Sequence, residues 1–230
     1  MAKPKTKRFY RQVSTAQTGE GWTVLLDGRT LKTPGKLPLM AKSQTHAELV
    51  AAEWEAQDEI IKPHLMPVTR LYNVALERTP ENRNVLIAEI TKYAGTDLLC
   101  YRSEFPQSLA LLQSQNWDKW LDWAREQGID LKTRQGIVAL EQDEKALKKV
   151  SEIAAGFDDL NLTLLAHINA IYGSAILALA VMKGALLAET AYELSRLDFN
   201  YQAEHWGQDD EADQLAELTR VEVIALSKLL

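Results

Sequence analysis

Glu204, His205, Asp209, Asp210 and Asp213 stand within ten residues of one another near the end of the sequence. A carboxylate–histidine group of this kind can ligate a divalent metal or run general acid–base chemistry. The spacing matches no familiar ligand set. Glu204 and His205 are adjacent, so on a helix they point about 100° apart and do not readily face one ion. Asp209, Asp210 and Glu211 follow Gly207, where a new helix would open and where acids favour the positive end of its dipole. Three readings stay open: helix-opening acids, an acidic patch facing a partner, and a metal or catalytic site.

Elsewhere the chemistry is sparse. There is no G-x-x-x-x-G-K-[ST], no G-x-G-x-x-G, no G-x-S-x-G and no H-E-x-x-H, so nucleotide hydrolysis, Rossmann binding, the serine elbow and zincin chemistry lack their motifs. The four histidines, His46, His64, His167 and His205, are far apart in sequence. His167 falls in an apolar stretch and reads as a hydrogen-bonded core histidine. The single cysteine, Cys100, lies in Leu98-Leu99-Cys100-Tyr101 and reads as a small buried hydrophobe, with no internal disulfide to form. Trp54, flanked by Glu53 and Glu55, and Trp206, before Gly207, are either core or interface anchors, with core the simpler reading for both.

The elements that must position these residues change character along the chain. Phe9–Val13, Trp22–Leu26, Arg29–Lys32 and Leu37–Met40 read as four short strands. Asp27-Gly28 is a hairpin turn between two of them. From Ser43, a plausible N-cap, Ala47, Val50, Ala51 and Trp54 follow a helical period until Pro63 and Pro67 break it. Helices are expected over 68–78, 81–94 and 107–127, the last placing Trp117, Trp120 and Trp123 within about 120° of arc. A small hairpin is expected near 129–140 and a helix over 142–155. One long apolar helix is expected over 159–183, and further helices over 188–206 and 210–229. The fold class is α+β: a small β-rich N-terminal domain over 1–66, ending in a connecting helix, and a larger, mostly α-helical domain over 67–230.

Length and composition fit a folded, soluble chain. It has 230 residues, 46% hydrophobic and 25% charged, with a net charge of −6. The charge is uneven. Residues 1–42 hold nine bases and two acids, while 188–230 hold ten acids against Arg196, Arg220 and Lys228. An acidic chain with an acidic tail is a poor ligand for nucleic acid. No basic start followed by an apolar h-region marks a signal peptide. The apolar run Ala170–Met182 is too short for membrane insertion. One free thiol suits a reducing cytosol, so a cytoplasmic location is expected.

Several segments, in order, resemble the assembly chaperones for the alpha subunit of the F-type ATP synthase catalytic sector, a family of mitochondria and of alphaproteobacteria-like bacteria. They are LLDGRTLKTPGKLPL at 25–39, AAEWEAQDEIIKP at 51–63, MPVTRLYNVALER at 66–78, TDLLCYR at 96–102, WDKWLDWA at 117–124, and SAILALAVMKGALLAETAYELSRLDFNYQAEHWG at 174–207. The last signature departs from the family. Asp198-Phe199 stands where two acids are usual, and Asp213-Gln214 replaces His-Asp, although Asp210 keeps an acid position. The resemblance implies an ATP-independent, non-enzymatic holder of the unassembled alpha subunit, a monomer without cofactor or metal. It places Trp54, Asp97, Arg102, Glu204, Trp206 and Asp210 in or behind the client surface. The alternatives are a metal-dependent hydrolase-type enzyme using the cluster near 204–213, and a scaffold for another partner.

Overall fold

The computed structural model describes residues 6–207 and 209–230. They gather into two compact units divided between Glu81 and Asn82, and the α+β class is what they show.

The first unit is built on a four-stranded antiparallel sheet. β1 (Val13–Thr18) pairs along its whole length with β2 (Gly21–Leu26). β3 (Arg29–Thr30) and β4 (Met40–Ala41) share the other edge of β2, at its two ends. Asp27 and Gly28 both take positive φ, 48° and 77°, as the turn between β2 and β3 requires. The Asp27 carboxylate accepts from the backbone N–H of Arg11 and Gln12, and those bonds hold its pKa below the ordinary value. β1 lies C-terminal to the strand expected at Phe9–Val13. Its VSTAQT sequence lacks the alternation of a half-buried strand, because β1 is half exposed and held by main-chain pairing.

α1 (Gln44–Glu55) covers the sheet with Ala47 and Val50, and Ser43 caps it by accepting from His46 N. Glu53, on α1, caps α2 (Pro67–Glu77): Oε1 accepts from Val68 N, and Oε2 from the N–H and hydroxyl of Thr69, each at 2.7 Å. Pro67 needs no partner at the first turn of that helix.

α3 (Thr79–Gly95) crosses the unit boundary. The second unit then holds β5 (Tyr101–Arg102), α4 (Gln107–Glu126), β6 (Arg134–Gln135), α5 (Glu144–Ala155), α6 (Asp159–Tyr172), α7 (Ala175–Met182), α8 (Ala188–Ser195), α9 (Leu197–Trp206) and α10 (Asp210–Ser227). Its centre is α7, whose residues Ala175–Val181 are all buried against α4, α6 and α8.

Three expectations change here. The long helix over 159–183 is two helices, broken where Gly173 takes φ 63° and Ser174 caps α7 by accepting from Leu177 N. The helix over 188–206 is also two, α8 and α9, meeting at Arg196. The hairpin near 129–140 is absent: Arg134–Gln135 pair in parallel with Tyr101–Arg102. Cys100 is fully buried, and burial pushes its thiol pKa up.

Candidate partner-binding groove

The site is built outward from a buried carboxylate. Asp97 precedes a turn of 3-10 helix at Leu98–Cys100 and has no solvent exposure. Its Oδ1 accepts from Leu99 N at 3.0 Å and from the Ser174 hydroxyl at 2.7 Å, while Oδ2 accepts from Ile176 N at 3.1 Å. One side chain therefore caps both its own turn and the start of α7. Burial outweighs these bonds and raises the Asp97 pKa to about 6.

Five residues after Asp97, Arg102 is also buried. Its Nε donates to the Leu99 carbonyl at 3.1 Å, and its guanidinium lies over the Trp117 ring, 5.3 Å from the centroid. Nη2 approaches Asp118 Oδ1 at 2.7 Å, an ion pair without hydrogen-bond alignment, and neither Nη has a hydrogen-bond acceptor. The pair contributes charge balance rather than a directed bond. Trp117 is itself closed off from solvent and donates Nε1–H to the Leu194 carbonyl at 3.0 Å.

Gln113 links this platform to α9. Its Oε1 accepts from Ser103 N and its Nε2 donates to Asp198 Oδ1, both at 2.8 Å. On α9, Tyr201 stacks on His205 with centroids 4.1 Å apart, and His205 Nδ1 donates to the Tyr201 carbonyl at 2.8 Å. That places the Nδ1–H tautomer on the ring.

Between these pieces lies an open groove of about 510 Å³. β5 and the 103–106 turn form one wall, and α9 forms another, with Gly136 and Ile137 at the end. Three of its lining side chains are large, apolar and solvent-facing: Phe105 is 86% exposed, Ile137 98% and Trp206 74%. Single exposed apolar residues are ordinary; several around one concavity mark a binding surface. Glu104 and Asp198 add negative charge, and Arg102, the one base in the lining, is the buried partner of Asp118. Gly136 takes φ 82°, a left-handed backbone that favours glycine, and a Cβ there would also have to displace the end of the Glu104 side chain.

A model of the ATP12 chaperone protein family matches residues 7–125. The chain belongs to the ATP12 chaperone family. The Schizosaccharomyces pombe protein atp12, mitochondrial, is 26% identical over 229 residues, spanning 94% of this chain and 78% of that one. The crystal structure of Atp12 from Paracoccus denitrificans is 39% identical with a TM-score of 0.88, covering 96% of this chain and 95% of that one. A crystal structure of an Agrobacterium tumefaciens protein is 36% identical with a TM-score of 0.91, covering 99% and 87%.

In this ATP12-family chain the six residues singled out in the sequence scatter. Arg102 and Trp206 line the groove. Asp97 lies behind it, joined to Arg102 through the two backbone groups of Leu99, so it positions rather than touches. Glu204 and Asp210 are exposed, on α9 and in the first turn of α10. Trp54 is in the first unit, half-buried, its ring set edge-on to Tyr10 and Phe9, and its carbonyl accepts from Tyr10 OH at 2.6 Å.

The simpler core reading fails for Trp206, which ends α9 with most of its ring in solvent. His167 is half-buried rather than core, its side chain 40% exposed, with Nε2 3.1 Å from Glu222 Oε1. Asp209 is the α10 N-cap, accepting from Glu211 N and Ala212 N, so the helix-opening reading holds for it. Among the described residues no three His, Cys, Asp or Glu side chains are grouped to hold a metal ion. Phe105, Ile137, Gln113 and Asp198 were missed. The available signal was modest: a Phe before Pro, and an apolar pair after Gly136 in a segment that reads as one strand of a small hairpin.

Proposed function

We propose that this ATP12-family protein is an ATP-independent assembly chaperone, not an enzyme. It holds the unassembled alpha subunit of the F-type ATP synthase catalytic sector until beta subunit docks. The observation that carries this reading is the open groove with Phe105, Ile137 and Trp206 presented to solvent above a buried, hydrogen-bonded platform. An alpha subunit awaiting its neighbours exposes apolar interface, which aggregates unless covered. A holder must cover that surface and then leave. Aromatic and aliphatic anchors supply contact, and an acidic, hydrated rim limits its strength.

Glu204 and Asp210 belong to that rim in this reading, Arg102 and Asp97 shape the platform behind it, and Trp54 supports the first unit. The protein acts as a monomer in the bacterial cytoplasm, without cofactor, nucleic acid or membrane insertion. In support of the last point, no described helix is long and apolar enough to cross a membrane.

The test has two arms. Affinity purification from the native host should recover the alpha subunit, and purified protein should suppress aggregation of isolated alpha subunit without ATP. A Phe105→Ser/Ile137→Ser double variant should keep its fold and lose most of the suppression. Undiminished suppression by that variant would remove the groove from the mechanism; failure to recover the alpha subunit would remove the client.

A further inference from the structure

A second cleft, of about 430 Å³, lies within the second unit between α3 and α6. Ala166 and Ala170, one turn apart on α6, leave the two helices room to stand open. Between them is Asn169, only 1% exposed, with an Oδ1 that has no hydrogen-bond partner. Among the described residues its side chain makes no hydrogen bond. A buried amide left unpaired is costly, and such groups in a folded protein ask for an occupant. A half-turn about χ2 exchanges the two ends of the amide, so the cleft can be met by an acceptor or a donor.

The opposite wall carries charge. Glu89 and Lys92 both line the cleft from α3, with Thr96 a turn further on. Residues three apart on a helix have Cβ atoms about 5–6 Å apart and commonly pair. Among the described residues, neither Glu89 nor Lys92 forms an ion pair, and the Thr96 hydroxyl makes no hydrogen bond. One anion and one cation, both exposed to solvent, therefore line the same cleft as a buried amide.

We propose that this cleft binds a small zwitterion of the amino-acid class. Its ammonium group faces Glu89, its carboxylate faces Lys92 and the Thr96 hydroxyl, and the Asn169 amide takes the remaining polar contact. A ligand with a single charge would meet only one of the two α3 groups. The volume lies toward the small end of the roughly 300–1,000 Å³ typical of ligand pockets. The cleft shares no lining residue with the groove, so it is a separate site rather than an extension of client binding.

The test is an NMR titration of isotope-labelled full-length protein with each common amino acid, and with ethylamine and acetate as single-charge probes. The readouts are the Asn169 side-chain amide and the α3 backbone amides. At least one amino acid should give a saturable shift at these positions. Affinity should fall about tenfold or more in Glu89→Gln and in Lys92→Gln, both surface changes, and vanish in Asn169→Leu. No saturable shift with any amino acid at millimolar concentration would leave the cleft to water and overturn the proposal. Ethylamine or acetate binding as well as the best amino acid would overturn the zwitterion class. Binding that ignores Glu89→Gln and Lys92→Gln would overturn the placement. Client capture plays no part in these readouts, so the result stands apart from the chaperone assignment.

Discussion

Asp97 and Ser174 lie 77 residues apart in the chain and share a 2.7 Å hydrogen bond, hydroxyl to carboxylate, at the buried start of α7. The bond fastens the turn that leads into the groove to the most enclosed helix of the second unit. It also makes stability pH-dependent. The folded-state pKa of Asp97 is raised to about 6, so between roughly pH 4 and 6 the native state holds a proton that the unfolded chain has released. The Asp97 contribution is then fully present below the unfolded pKa and is lost as pH rises through the folded one, on the order of 2–3 kcal/mol in all. Asp97→Asn cannot titrate, and its amide N–H₂ meets either Ile176 N–H or the Ser174 hydroxyl. Denaturant unfolding at pH 4.5 and 7.5 should show Asp97→Asn less stable at both, with the gap to wild type wider at the acid end. An equal gap at the two pH values would contradict the shifted carboxyl.

Trp206 and Trp117 should separate cleanly. Trp206 is largely in solvent, so Trp206→Ala should change stability by no more than about 0.5 kcal/mol while weakening alpha-subunit capture severalfold. Trp117 is fully buried and hydrogen-bonded to Leu194, so Trp117→Ala should cost about 3–5 kcal/mol. Chemical denaturation beside an aggregation-suppression assay reads both quantities.

Glu204→Lys and Asp210→Lys reverse charge at exposed positions. Both should weaken client capture with far-UV circular dichroism unchanged. Asp210 is in the first turn of α10, so its reversal should also cost about 0.3–1 kcal/mol through the helix dipole. Capture that is unaltered in both variants would end the acidic-rim idea.

Trp54 bears on stability rather than recognition. Its ring is packed with Tyr10 and Phe9, and its indole Nε1 is buried without an acceptor. Trp54→Ala should lower the melting temperature by several degrees, as expected for a loss of about 1–3 kcal/mol. An unchanged melting temperature would place the residue outside the packing of the first unit.

What the sequence made legible was local. The Asp27-Gly28 turn, the Ser43 cap and the helical periods of α1 to α5 each depend on residues a few positions apart, and the α+β order follows from them. The break at Gly173–Ser174 was hidden inside an unbroken apolar run, because the carboxylate that helps cap α7 comes from Asp97, far away in sequence. β1 was displaced because main-chain pairing with β2 holds a strand whose side chains carry no pattern. The groove was least legible of all. Phe105, Ile137 and Trp206 come from three separate segments, and an apolar side chain in a sequence suggests core until the fold shows it has nothing above it.

Gln113 gives the groove a fixed gauge. Its one carboxamide grips Ser103 with its oxygen and Asp198 with its nitrogen, so the two walls are braced at a set spacing by a strut that cannot lengthen without breaking a bond at one end. A client that pries the walls apart must work against that strut, and one that fits the existing spacing need not. The width of the opening is therefore itself a filter on what enters, set by an amide buried in the lining of the groove.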